Sequence, residues 1–194
     1  QQWQYTVTHY QSQLNAYKSQ LATATGVRDV QAFFNQAKSL SSDLKSLQKN
    51  GVSMNDLLTN PGGQYSGALN SLYSKYSMFD SCPPNSSEAT VANCKNMVLN
   101  KAVAVEETTA VQGKINETVS DISVLASRIE LSPDAKESQD LANAITTKSV
   151  QLSALTTQWE MSVKQSELRD ELLKNKQQKA FRKRQSEGTI PTFN

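Results

Sequence analysis

Trp3, Val7, Tyr10, Leu14, Tyr17, Leu21 and Ala24 recur at alternating spacings of four and three residues, with mostly polar side chains between them. This is the a/d seam of a helix that packs lengthwise against other helices, and it spans about 33 Å at 1.5 Å per residue. Gly26 then supplies a helix stop. The seam itself tests whether the helix runs on. The same phase would place Arg28, Gln31, Asn35, Lys38, Ser42 and Lys45 on the apolar line. A new stripe runs instead through Val30, Phe33, Phe34, Ala37, Leu40, Leu44 and Leu47, rotated by about 100° on a straight helix. The chain therefore breaks at Gly26, and the second helix packs on another surface. Asn50-Gly51 ends that helix, Ser53 caps a short turn through Leu57 and Leu58, and Asn60-Pro61-Gly62-Gly63 is a loop.

A third helix carries Tyr65, Leu69, Leu72, Tyr73, Tyr76 and Phe79 and stops at Cys82-Pro83-Pro84. From Glu88 to about Glu130 a near-heptad stripe passes through Val91, Cys94, Val98, Ala102, Val105, Thr109, Gln112, Ile115, Val119, Ile122, Ala126 and Ile129, about 60 Å of helix. Leu131-Ser132-Pro133-Asp134 reads as a turn with Ser132 as N-cap and Pro133 at the first helical position. The last stripe runs through Leu141, Ile145, Lys148, Leu152, Leu155, Trp159 and Val163. It then thins to Leu168, Leu172, Leu173 and Phe181 before Gly188 and Pro191.

Segments 3–25, 88–130 and 134–185 share the a/d pattern. They predict an all-α fold, an elongated antiparallel three-helix bundle built from residues 1–26 and 88–187. Residues 27–87 read as a small helical appendage and 188–194 as a mobile tail. The rival is a bent first helix reaching Lys49; the broken seam favours the appendage.

Composition agrees. The chain has 24 Ser, 18 Gln, 15 Thr and 14 Asn but only seven Gly and five Pro, which suits helices with broad wet faces over strands. No apolar run approaches the roughly 20 residues that span a bilayer. The net charge of +2 gives the whole molecule no strong field for nucleic acid or membrane. The charge is nevertheless uneven: Lys174, Lys176, Lys179, Arg182, Lys183 and Arg184 form a run with no acid among them. It reads either as a basic patch for phosphate or anionic lipid, or as a solvated helix end complementing the macrodipole.

Cys82 and Cys94 bracket a Pro-Pro loop and are placed to close a small ring, which implies an oxidising compartment; the alternative is a pair of unlinked buried thiols. The chain opens on Gln1-Gln2 without a Met, the expectation for a mature form whose leader has been removed. The ingredients of catalysis are missing. His9 is the single histidine and sits on the polar side of its helix. Glu106-Glu107 and Asp170-Glu171 are adjacent pairs that point to different helix sides, and no phosphate-binding glycine motif is present. One His and two Cys build no Cys/His zinc site. A non-enzymatic binding or structural role, without cofactor or metal, is what remains. Two surfaces are the candidates for protein contact: Tyr65, Tyr73, Tyr76 and Phe79 with the 82–94 loop, which also read as core, and Leu168, Leu172, Leu173 and Phe181, where a seam that outruns its partners calls for a neighbouring subunit.

The order of features resembles the minor pilus subunits of bacterial conjugation and type IV secretion machines. The stretches that carry it are the helix from Trp3 to Ala24 with its Gln-rich polar face and closing Gly26. They also include the turn Ser132-Pro133-Asp134-Ala135-Lys136 followed by Asp140-Leu141-Ala142-Asn143-Ala144-Ile145. The latter is similar to the acidic-Pro-Lys opening of that family's last helix, with Pro133 here preceding Asp134. The resemblance implies a three-helix bundle with a loose appendage, and a periplasmic protein delivered to the extracellular pilus tip. There it serves pilus assembly and adhesion to recipient cells. Implied partners are the major pilin, inner-membrane components of the secretion channel and further copies of the chain, with no nucleic acid and no cofactor. A different class remains open: a helical coiled-coil adaptor or nucleic-acid accessory protein using the Lys174–Arg184 run.

Overall fold

The computed structural model describes residues 2–59 and 65–188. Among them the chain is all-α, with no strand: α1 (Gln2–Ala24), α2 (Val30–Lys49), α3 (Met54–Thr59), α4 (Ser66–Lys75), a 3-10 helix (Ser77–Ser81), α5 (Glu88–Leu131) and α6 (Ala135–Glu187). No helix among the described residues is long and apolar enough to cross a membrane. The loop at Asn60–Gly63 and the tail from residue 189 lie outside the described residues.

The breaks follow local chemistry. Gly26 (φ +79°) and Gly51 (φ +86°) end α1 and α2 in the left-handed region that a Cβ disfavours. Asp29 starts α2 by accepting the Ala32 N–H at 2.9 Å, Ser53 accepts the Asp56 N–H at 3.3 Å ahead of α3, and Ser87 caps α5 by accepting the Thr90 N–H. The break at Gly26 is as the seam indicates. Two expectations need correction. The third helix does not reach Phe79: it ends at Lys75, and Tyr76 turns extended (φ −114°, ψ 125°). Long-range bonds outcompete the next helical turn here, since the Tyr76 hydroxyl donates to Asp43 and the Met78 N–H donates to Gln36 Oε1 at 2.9 Å. At the last turn Asp134 is the N-cap in place of Ser132. Its carboxylate accepts the Lys136 N–H at 2.9 Å, which leaves Pro133 before the cap and Ala135 as the first helical residue.

α5 and α6 form a long antiparallel hairpin, with Asn93 opposite Leu173, Thr108 opposite Trp159 and Asp121 opposite Lys148. α1 lies antiparallel to α5, with Gln11 bonded to Asn116 and Asn15 to Gln112. Leu14, Val111, Ile115, Ile122, Leu152 and Trp159 make the core these three helices share, with Trp3, Val7, Tyr10 and Tyr17 packed on it. The edge-to-face pair Tyr17–Trp159, 5.8 Å between centroids, closes it. This three-helix arrangement covers only part of the hairpin, because α1 has 23 residues against 44 and 53 in its partners. Beyond α1 the hairpin continues to an apex where Leu131 is 84% exposed.

The other half of α5 is surrounded differently. From Val98 to Val105 every residue is buried. Phe33, Ala37, Leu40 and Leu44 of α2, Leu57 and Leu58 of α3, Leu69 and Tyr73 of α4, and Met78 and Phe79 of the 3-10 helix join α5 in a second core. Ala22 from the end of α1 enters it; no described residue of α6 does. Residues 27–87 are thus held to α5 by apolar packing, while α6 meets this half of α5 by other means.

Candidate interaction surface

The aromatic candidates resolve first. Tyr73, Tyr76 and Phe79 are buried and Tyr65 is half-buried against them. Tyr73 and Phe79 meet edge-to-face with centroids 4.8 Å apart. These side chains are the inside of the head and offer no contact patch, because α4 and the 3-10 helix fold them inward onto α2 and α5. Cys82 and Cys94 are joined, Sγ to Sγ at 2.05 Å, linking the end of the 3-10 helix to the first turns of α5.

Asp43 fastens the outside of this head. Its carboxylate accepts from Lys75 Nζ at 2.8 Å and from the Tyr76 hydroxyl. The Lys75 ammonium and then the Tyr76 hydroxyl hold its pKa below the ordinary carboxylate value. A carboxylate depressed in the folded state contributes stability that is complete above its unfolded pKa and is lost as pH falls through the folded one. Asp43→Asn should therefore lower the urea midpoint at neutral pH. The gap to the wild type should close as the medium is acidified below about pH 4. A gap that stays constant with pH removes this role.

α6 meets the upper half of α5 through a polar seam. Asn93 donates to the Leu173 carbonyl at 3.1 Å, and Asn100 donates to the Ser166 carbonyl at 3.2 Å and to Asp170 Oδ1 at 3.0 Å. Lys101 Nζ reaches Asp170 Oδ2 at 3.1 Å, Arg169 Nε donates to Asn100 Oδ1, and Ser162 donates to Glu107 at 3.1 Å. On the side facing the head, Asn96 donates to the Leu58 carbonyl at 2.8 Å. None of these residues stood out in the seam, which passes over Asn93, Asn96 and Asn100 as if they faced water. The readable signal was the run Val98–Val105, whose apolar residues outnumber what one helix face needs: a helix that is apolar on several sides is surrounded. Leu173 is the exception on α6. It is fully buried and so leaves the candidate patch.

Leu168, Leu172 and Phe181 are exposed, Leu168 at 65%. With Val150 and Met161, Leu168 and Leu172 follow spacings of eleven, seven and four, which put all four on one outward face of α6. Met161 also borders an open groove between α5 and α6, on the side away from α1. Glu107, Ala110, Val111, Lys114, Gln158, Ser162 and Gln165 complete its lining. An adjoining groove of about 380 Å³ continues along Lys114, Thr118, Asp121, Lys148 and Leu155. The corresponding groove on the other side is the one α1 fills. One flank of the hairpin thus has its third helix, and the other flank has an open trough lined mostly by charged and polar side chains, with Met161 and Leu155 as apolar members. His9, exposed beside Gln13 at 3.2 Å, stands apart from it.

Lys174, Lys176, Lys179, Arg182, Lys183 and Arg184 are all exposed along the end of α6. Lys176 donates to the Thr59 carbonyl, Arg184 to the Thr90 hydroxyl at 3.3 Å, and Lys183 pairs with Glu187 at 3.8 Å.

Compared with known proteins, residues 1–178 match the family model described as type IV secretion system proteins. No curated protein and no solved structure matches the chain.

Proposed function

Because the chain belongs to the family of type IV secretion system proteins, we propose that it is a non-enzymatic minor pilus subunit of the TraC type, required for pilus assembly and contributing adhesion to recipient cells at the pilus tip. The family match across residues 1–178 carries this reading. The Cys82–Cys94 bridge supports export to an oxidising compartment, the periplasm and then the pilus tip. In this reading residues 27–87 form a lateral head on a helical rod, and the stripe Val150, Met161, Leu168 and Leu172 with its groove seats a neighbouring copy or the major pilin. Inner-membrane components of the secretion channel deliver the subunit.

The test is a clean deletion in a donor cell. Transfer and infection by pilus-dependent phage should fall together and return with the full chain. They should not return with the double variant Leu168→Glu/Leu172→Glu, which alters exposed positions only and should keep its helicity. Undiminished transfer and phage infection after deletion, with the protein fractionating with the cytoplasm, would sink the proposal.

A further inference from the structure

The last ten or so residues of α6 carry more positive charge than the fold uses. The pairing of Asn93 with Leu173 sets Glu88, the first residue of α5, opposite about residue 178, so the final turns of α6 project past their partner. The helix dipole favours cations only within the last turn, which covers Arg184 but not Lys174, Lys176, Lys179, Arg182 or Lys183. Lys176–Lys179 and Lys179–Arg182 are spaced three apart and Lys179–Lys183 four apart, spacings at which like charges repel across one helix surface. The counter-charge inside the molecule is small. Among the described residues Glu187 is the one acid paired with this run, and Thr59 and Thr90 offer only neutral oxygens.

The order of residues at the projecting end narrows the source of the missing anions. Phe181, Arg182, Lys183 and Arg184 are consecutive, so they leave the helix at successive steps of about 100° and encircle its axis. Arg182 and Lys183 point to two sides, Arg184 turns back to the Thr90 hydroxyl of α5, and Phe181, 53% exposed, takes the fourth side. A nucleic-acid duplex would be served by cations on one face. Cations on more than one side with an exposed aromatic among them suit a surface of anionic headgroups, where an aromatic ring settles at the interface. We propose that the C-terminal end of α6 docks on an anionic lipid bilayer. The proposal is independent of the pilus reading and rests on this end alone.

The experiment uses the full chain and vesicles of equimolar phosphatidylglycerol and phosphatidylcholine, with pure phosphatidylcholine as control. Co-sedimentation is read in about 0.01 M and about 1 M salt, where the screening lengths are about 30 Å and 3 Å. Binding should appear on the anionic vesicles alone and vanish in high salt. Each cation near the surface is worth about five-fold, so Lys179→Gln/Arg182→Gln/Lys183→Gln/Arg184→Gln should weaken partitioning several-hundred-fold. Phe181→Ala should weaken it a few-fold further. All five positions are exposed, and circular dichroism and the urea midpoint should match the wild type. Equal binding to both vesicle types, no binding, or binding untouched by the four-fold variant overturns the proposal. So does a wild type that ignores vesicles while holding duplex DNA, or self-associating at low salt, through the same four residues.

Discussion

Asp170→Ala should cost on the order of 3 kcal/mol of folding stability, although it removes only a few atoms from a helix surface. The carboxylate holds the Lys101 ammonium and the Asn100 amide across the α5–α6 seam. The side chains of Lys101 and Asp170 are 11% and 21% exposed. Deleting the acid strands a nearly buried cation, and the stranded charge accounts for most of the loss. Lys101→Met/Asp170→Leu, which removes both charges and keeps the volume, should recover most of the stability, because an apolar replacement of a buried pair is often neutral or better. Urea midpoints of Lys101→Met, Asp170→Leu and the double form the cycle. A double variant as unstable as Asp170→Ala would show that the seam depends on the pair itself.

The second large effect is expected from the bridge. Cys82→Ser/Cys94→Ser should lose about 3 kcal/mol, the chain-entropy value for so small a ring. The ring links the 3-10 helix, which is too short to hold itself, to α5. A reducing agent should lower the melting temperature of the wild type to that of the variant and leave the variant unmoved. A wild type indifferent to reduction would mean that Phe79, Met78 and Tyr73 alone secure the head.

What the sequence disclosed depended on period. The a/d line of α1, the break at Gly26, the long run of α5 and the extent of α6 were all legible, because one face of each is apolar at regular spacing and each end has a Gly or a capping residue. The failures were places where a distant partner decides. Tyr76 leaves the helix for Asp43, 33 positions away, and Asn93 and Asn100 are buried because their partners sit on α6. The aromatics from Tyr65 to Phe79 were visible as a cluster but not as an interior, since helical spacing does not reveal which way a short helix is turned. The exposed line of Val150, Met161, Leu168 and Leu172 was only half-seen, because residues eleven and seven apart align only once the helix is known to be unbroken.

The two ends of α6 are attached by unlike forces: one shares an apolar interior with α1 and α5, the other rests on amides and carboxylates. Oily contacts weaken gradually and over area, whereas a row of polar contacts can be exchanged one for one with water or with a competitor. The far stretch of α6 is therefore held to α5 chiefly by exchangeable polar contacts, with the fully buried Leu173 as an apolar anchor among them.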